Sequence, residues 1–146
     1  MLPDKASRDQ DVFLGVKRPV ASARILLVDD EEAIRQICAE TLARQGYQVD
    51  TAEDGETGWE MLNTANFDAD AYDLLITDNN MPKLSGFDLV KRLRSAHIDL
   101  PVIMASGMVN VSRADTESLG VVAVLAKPFF PQDLIKTVKT VLNEAS

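Results

Sequence analysis

Asp29, Asp30, Asp78, Ser106 and Lys127 are the residues through which this sequence offers chemistry, and each stands at the end of a short apolar run. A fold that aligns those runs brings three carboxylates, a hydroxyl and an ammonium to one edge. Carboxylates gathered in one crevice repel each other by on the order of 4 kcal/mol per close pair at an effective dielectric of about 20. A divalent cation or a lysine must therefore sit among them, and ligands that are all oxygen favour Mg²⁺ over zinc or copper. An exposed carboxylate, a hard cation, a lysine and a hydroxyl meet the needs of phosphoryl transfer, which depends on positioning and on neutralising the transferred oxygens. In such a site Asp78 acts as nucleophile, Lys127 and Mg²⁺ share the phosphoryl charge, and Ser106 and backbone N–H groups after Asp78 donate hydrogen bonds.

Each residue taken alone also has a plainer reading. Asp29 and Asp30 precede a helix, where acidic residues serve as caps. Ser106 can simply end a strand, and Lys127 can be a solvated lysine before a turn proline. The coincidence of all five at the ends of neighbouring strands is what favours a site.

The elements that must position them follow from the hydrophobic pattern. Residues 25–28, 74–77, 102–105 and 121–125 are apolar at consecutive positions, as expected of central strands with helices over both faces of a parallel sheet. Residues 47–51 are mixed in character and follow Gly46, which predicts an edge strand. Ile34, Ile37, Cys38, Thr41 and Leu42 share one helical face that ends at Gly46. Further helices are expected over 58–62, over 85–94 with Ser85 and Asp88 at its start, over 131–142 and, least clearly, over 112–119. The result is an α/β fold, a doubly wound five-stranded parallel sheet flanked by helices, whose binding crevice lies beyond the carboxyl ends of the strands. Residues 1–23 form a flexible or loosely docked tail, with Val12, Phe13, Leu14 and Val16 apolar enough to dock, and residues 24–146 form one domain.

The stretches ILLVDDEEAIR, LLITDNNMPKLSGFDL and AKPF resemble the three signatures of response-regulator receiver domains of two-component systems, over about residues 24–143. The resemblance implies a flavodoxin-like sheet of strand order 2-1-3-4-5. It implies Asp78 as phosphoacceptor, Asp30 as direct Mg²⁺ ligand, Asp29 as an acidic neighbour acting through water, and the Asn80 carbonyl completing the metal site. Ser106 takes the switch hydroxyl position and Lys127 that of the phosphate-pairing lysine, with a cis bond from Lys127 to Pro128 and with Met81, Pro82 and Gly86 in the loop after the acceptor. Val124 departs from the pattern, because family members usually carry Tyr or Phe there as a rotating switch. Gly107 stands where a small Ala is common, Asn79 is more polar than usual, and residues 63–72 make a longer connection than the family's.

Composition narrows the partners. A formal charge of −8 disfavours direct nucleic-acid binding, which needs a basic excess on one face. The basic run Lys91, Arg92 and Arg94 reads as a solvated helix face. With no apolar stretch near the roughly 20 residues of a bilayer span and no signal pattern, the chain is expected to be cytoplasmic with no membrane insertion. Cys38 is the single cysteine and, like Trp59, is expected in the core, while His97 sits at a helix carboxyl end. The implied partners are a histidine kinase or histidine phosphotransfer protein and a downstream protein, with a phosphorylation-dependent homodimer left open. The implied catalysis is limited to self-catalysed phosphorylation and dephosphorylation of Asp78. The alternatives are a pseudo-receiver that acts without phosphorylation, a small-substrate phosphatase or phosphotransferase, and a receiver cut from a hybrid kinase or longer regulator.

Overall fold

The computed structural model describes residues 23–65, 71–107 and 113–142. Strands and helices alternate through them: β1 Arg24–Val28, α1 Glu32–Arg44, β2 Gln48–Ala52, α2 Gly55–Ala65, β3 Leu74–Asp78, α3 Gly86–Ser95, β4 Val102–Ser106, α4 Arg113–Ser118, β5 Val121–Ala126 and α5 Pro131–Val141. All pairings are parallel and the sheet order is β2-β1-β3-β4-β5, as the resemblance implied. The chain steps outward from β1 to β2 and then back across to β3, so the carboxyl ends of β1 and β3 flank the point where the winding reverses.

The period-two alternation of a strand divides the core between two faces. Leu26, Val28, Leu75, Val102 and Met104 meet Leu62 of α2 and Leu89, Val90 and Leu93 of α3. On the other face Ile25, Leu27, Leu74, Ile76 and Ile103 meet Cys38 and Leu42 of α1 and Leu134 and Val138 of α5. Strands β1, β3 and β4 are thus buried on both sides, which is why their sequences are apolar without alternation.

Strand β5 differs from expectation. It is an edge strand, and its burial alternates, with Val122 and Val124 56% and 54% exposed. Its unbroken apolar run resembled that of a central strand, but only one of its faces is covered. Strand β2 forms the opposite edge, as expected.

Local signals set several helix ends. Gly46, at φ 99°, donates its N–H to the Ala43 carbonyl and closes α1. The Ser85 hydroxyl accepts from the Asp88 N–H at the start of α3. Helix α2 begins at Gly55, a turn earlier than its apolar pattern suggested, because the Asp54 carboxylate accepts from the Thr57 N–H. The expected tail, apart from Ala23, and residues 66–70 of the long connection lie outside the described residues. Ala23 itself is buried.

Candidate functional site

The acidic pair arrives at the site because β1 ends at Val28 and the chain turns at once into α1. The Asp29 N–H donates to the Ala52 carbonyl, continuing the β1–β2 ladder by one bond, and Asp29 Oδ1 accepts from the Glu31 N–H at 2.9 Å. This bond closes a turn into α1 and is not the helix cap expected of the acidic pair, since the N–H it accepts from belongs to the residue before the first helical turn; it occupies one Asp29 oxygen. The other, Oδ2, lies 3.1 Å from Lys127 Nζ. Arg35, one turn into α1, donates to the Asp29 carbonyl at 2.8 Å. Asp29 is buried and Asp30 exposed.

Asp78 is the last residue of β3, and the loop after it is pinned to the same place. Asn79 donates its N–H to the Ala105 carbonyl of β4, and its side-chain oxygen accepts from the Phe87 N–H at 2.9 Å in the first turn of α3. The unusual polarity of Asn79 therefore holds α3 against the strand end. Gly86 donates to the Asn79 carbonyl, and a β-carbon on Gly86 would collide with the Asp78 carbonyl.

Asp78 was expected to be exposed, and it is not: only 4% of its surface is accessible. Both of its oxygens are covered, Oδ1 by the Asn80 N–H at 3.2 Å and Oδ2 by Lys127 Nζ at 3.3 Å. Burial raises its pKa above the ordinary carboxylate value, against the opposing pull of Lys127 and the Asn80 N–H. Lys127 follows β5, its N–H donating to the Ser106 carbonyl, and the bond to Pro128 is cis. Burial works against the lysine charge, but Asp29 and then Asp78 outweigh it and the ammonium titrates above its usual value. The two shifts have different causes: burial lifts Asp78 in spite of Lys127, while the two carboxylates lift Lys127 in spite of burial.

Carboxylate oxygens of Asp29, Asp30 and Asp78 lie within 4.8 Å of one another. An all-oxygen set of this size suits a hard divalent cation. Ser106, buried at the end of β4, stands beside the strand that carries Asp78, in register with Ala126 next to Lys127. The sequence-derived residues thus converge at one edge of the sheet, and Asn80 enters through its N–H.

Two neighbours were not singled out from the sequence. Glu31 Oε1 lies 3.7 Å from Lys127 Nζ, and Arg35 braces the Asp29 backbone. The signal for both was present, since Glu31 directly follows the acidic pair and Arg35 is one helical turn further on. Beside Lys127 an apolar groove of about 620 Å³ runs between α1 and α5, floored by Ile34, Ile37, Cys38, Phe129 and Leu134.

The sequence profile of the response regulator receiver domain matches residues 25–139. Chemotaxis protein CheY1 of Helicobacter pylori is 40% identical over 124 residues, covering 82% of this chain and 97% of that protein. The 3',5'-cyclic-nucleotide phosphodiesterase regA of Dictyostelium discoideum is 36% identical over 127 residues, covering 84% of this chain and 16% of that protein. The chain therefore spans nearly all of one relative and a small part of another. Among solved structures, Vibrio cholerae chemotaxis protein CheY4 superposes with a TM-score of 0.70 at 35% identity, covering 83% of this chain and 99% of that one.

Proposed function

The chain belongs to the response regulator receiver domain family, and on that premise we propose that it accepts a phosphoryl group on Asp78 from a histidine kinase or histidine phosphotransfer protein and signals through contacts with another protein. The observation that carries this reading is the seating of Lys127 Nζ between Asp29 Oδ2 and Asp78 Oδ2, at 3.1 and 3.3 Å, at the carboxyl edge of the sheet. A phosphoryl group placed on Asp78 takes up the ammonium that now neutralises the carboxylate, so one of the countercharges it needs is already in place.

In the transfer, an Asp78 oxygen attacks phosphorus and the donor nitrogen leaves with its electron pair. Lys127 balances the negative charge on the transferred oxygens. The Ser106 hydroxyl and the Asn80 N–H donate to them. Asp29, Asp30, Asp78 and the Asn80 carbonyl would hold Mg²⁺, which when bound supplies further charge neutralisation at the phosphoryl group. The apolar groove beside Lys127 offers a donor protein a surface on which to bring its phosphohistidine to the site. Beyond phosphorylating and dephosphorylating itself, the domain turns over no substrate in this reading, and its place is the cytoplasm.

Val124 favours a second reading, that of a pseudo-receiver. Its side chain faces solvent on the edge strand, so the chain lacks an aromatic switch there. Incubation with a panel of phosphorylated histidine kinases and Mg²⁺ separates the two. Label that reaches wild type but not Asp78→Asn, and that hydroxylamine removes as it removes an acyl phosphate, supports the receiver. A chain that takes no label from any donor and binds its partner equally well as Asp78→Asn is a pseudo-receiver.

A further inference from the structure

Lys127 faces a third carboxylate that the proposed transfer does not use. Glu31 Oε1 lies 3.7 Å from Lys127 Nζ, and the Glu31 side chain is 65% exposed whereas those of Asp29 and Asp78 are 6% and 4% exposed. Glu31 stands at the cap position of α1, yet its side chain makes no capping hydrogen bond, and its N–H donates to Asp29 in the turn before the helix. The carboxylate thus has no structural duty in its own helix. It also lines the mouth of the apolar groove, on the rim shared with Lys127 and Gly107. Gly107 leaves that rim open, since the nearest atom to a β-carbon there would be Lys127 Cβ at 3.7 Å.

From this placement we infer that Glu31 is a positioning residue that tunes phosphoryl acceptance at Asp78, holding back small anionic donors by drawing on the charge of Lys127 and by repelling them at the entrance. The inference rests on Asp78 being the acceptor. Lys127 brings one positive charge to three carboxylates, and an incoming phosphoryl dianion must compete with all of them for it. Asp29 and Asp78 are fixed and buried, so Glu31 is the competitor that solvent and substitution can reach. Its charge adds to the negative potential that an anionic donor meets on approach. A phosphohistidine on a protein carries a similar phosphoryl charge, but apolar contacts in the groove hold it at the site and offset the repulsion.

The test is the second-order rate of Asp78 phosphorylation by acetyl phosphate with Mg²⁺, followed by intact mass, for wild type, Glu31→Gln and Glu31→Asp. The transfer forms an Asp78 Oδ–P bond and breaks the P–O bond to acetate, which departs with the electron pair, so nothing is oxidised or reduced. Glu31→Gln is expected to react about two- to five-fold faster at low ionic strength, the scale of one exposed charge. The gain should fall away at about 0.5 M salt, where exposed charges are screened, and Glu31→Asp should stay near wild type because it keeps the charge. A Gln variant no faster than wild type, or a gain that survives high salt unchanged, overturns the inference while leaving Asp78 as acceptor. Absence of any acetyl phosphate adduct on all three proteins overturns the inference if a cognate histidine kinase still labels Asp78, and overturns the acceptor assignment with it if the kinase also fails.

Discussion

Lys127 Nζ sits 3.1 Å from Asp29 Oδ2 and 3.3 Å from Asp78 Oδ2, and the consequences for stability differ among the three residues. Because burial raises the Asp78 pKa, its ionised form opposes folding at neutral pH, and the opposition is relieved as pH falls through the raised folded value. Asp78→Asn is therefore expected to stabilise the protein at pH 7 without divalent cations by on the order of 1 kcal/mol. The difference from wild type should narrow as pH is lowered through the carboxylate range, as urea titrations at a series of pH values would show. Lys127 has the opposite weight: its raised pKa contributes stability that is complete below the ordinary lysine value and is lost as pH rises through the folded one. Lys127→Met leaves two buried carboxylates uncompensated and should cost about 2 kcal/mol or more by the same titration. The types of these residues and their places at strand ends were readable in the sequence. The burial of Asp78 was not, because it comes from Lys127 and Asn80 closing over the two oxygens, and the approach of Glu31 to Lys127 depends on the turn by which the chain enters α1.

At the scale of elements, the sequence announced every described strand and helix, but its hydrophobic pattern made β5 a central strand where the order implied by the resemblance puts it at the edge, and the reason is physical. An apolar run marks a strand that can be covered on both faces, not one that is, and β5 is left at the edge with Val122 and Val124 outward. The basic run on α3 was misread for a related reason. Arg94 is not a solvated side chain: Nε donates to the Leu119 carbonyl at 2.6 Å, Nη1 to Ile98 at 2.9 Å, and Nη2 to Leu100 at 2.9 Å and Gly120 at 3.3 Å. Those carbonyls come together only when the turns after α3 and α4 fold onto each other, and nothing in the local sequence reports that. Arg92 also departs from a free solvated charge, pairing with Glu56 and lying over Trp59. Arg94→Lys is expected to destabilise nearly as much as Arg94→Ala, by about 2 kcal/mol, since an ammonium cannot fork to four carbonyls. Thermal unfolding of the two variants checks this. Gly120, at φ 75° and with Arg94 Nη2 3.2 Å from where a β-carbon would stand, should tolerate no larger residue.

For the whole molecule, the fold was legible because the doubly wound pattern and three short signatures agree, and the sheet order and family match bear that out. What the family match leaves to experiment is the signal itself. No helix among the described residues is long and apolar enough to cross a membrane. Divalent cation is expected to raise the melting temperature of the wild type through binding to the folded state alone, and to do so much less for Asp30→Asn. The most direct measurement of the central claim is intact mass after incubation with acetyl phosphate and Mg²⁺, for wild type beside Asp78→Asn. The account predicts one phosphoryl group on the wild type and none on the variant; an adduct on both proteins, or on neither even with a cognate kinase, would contradict it.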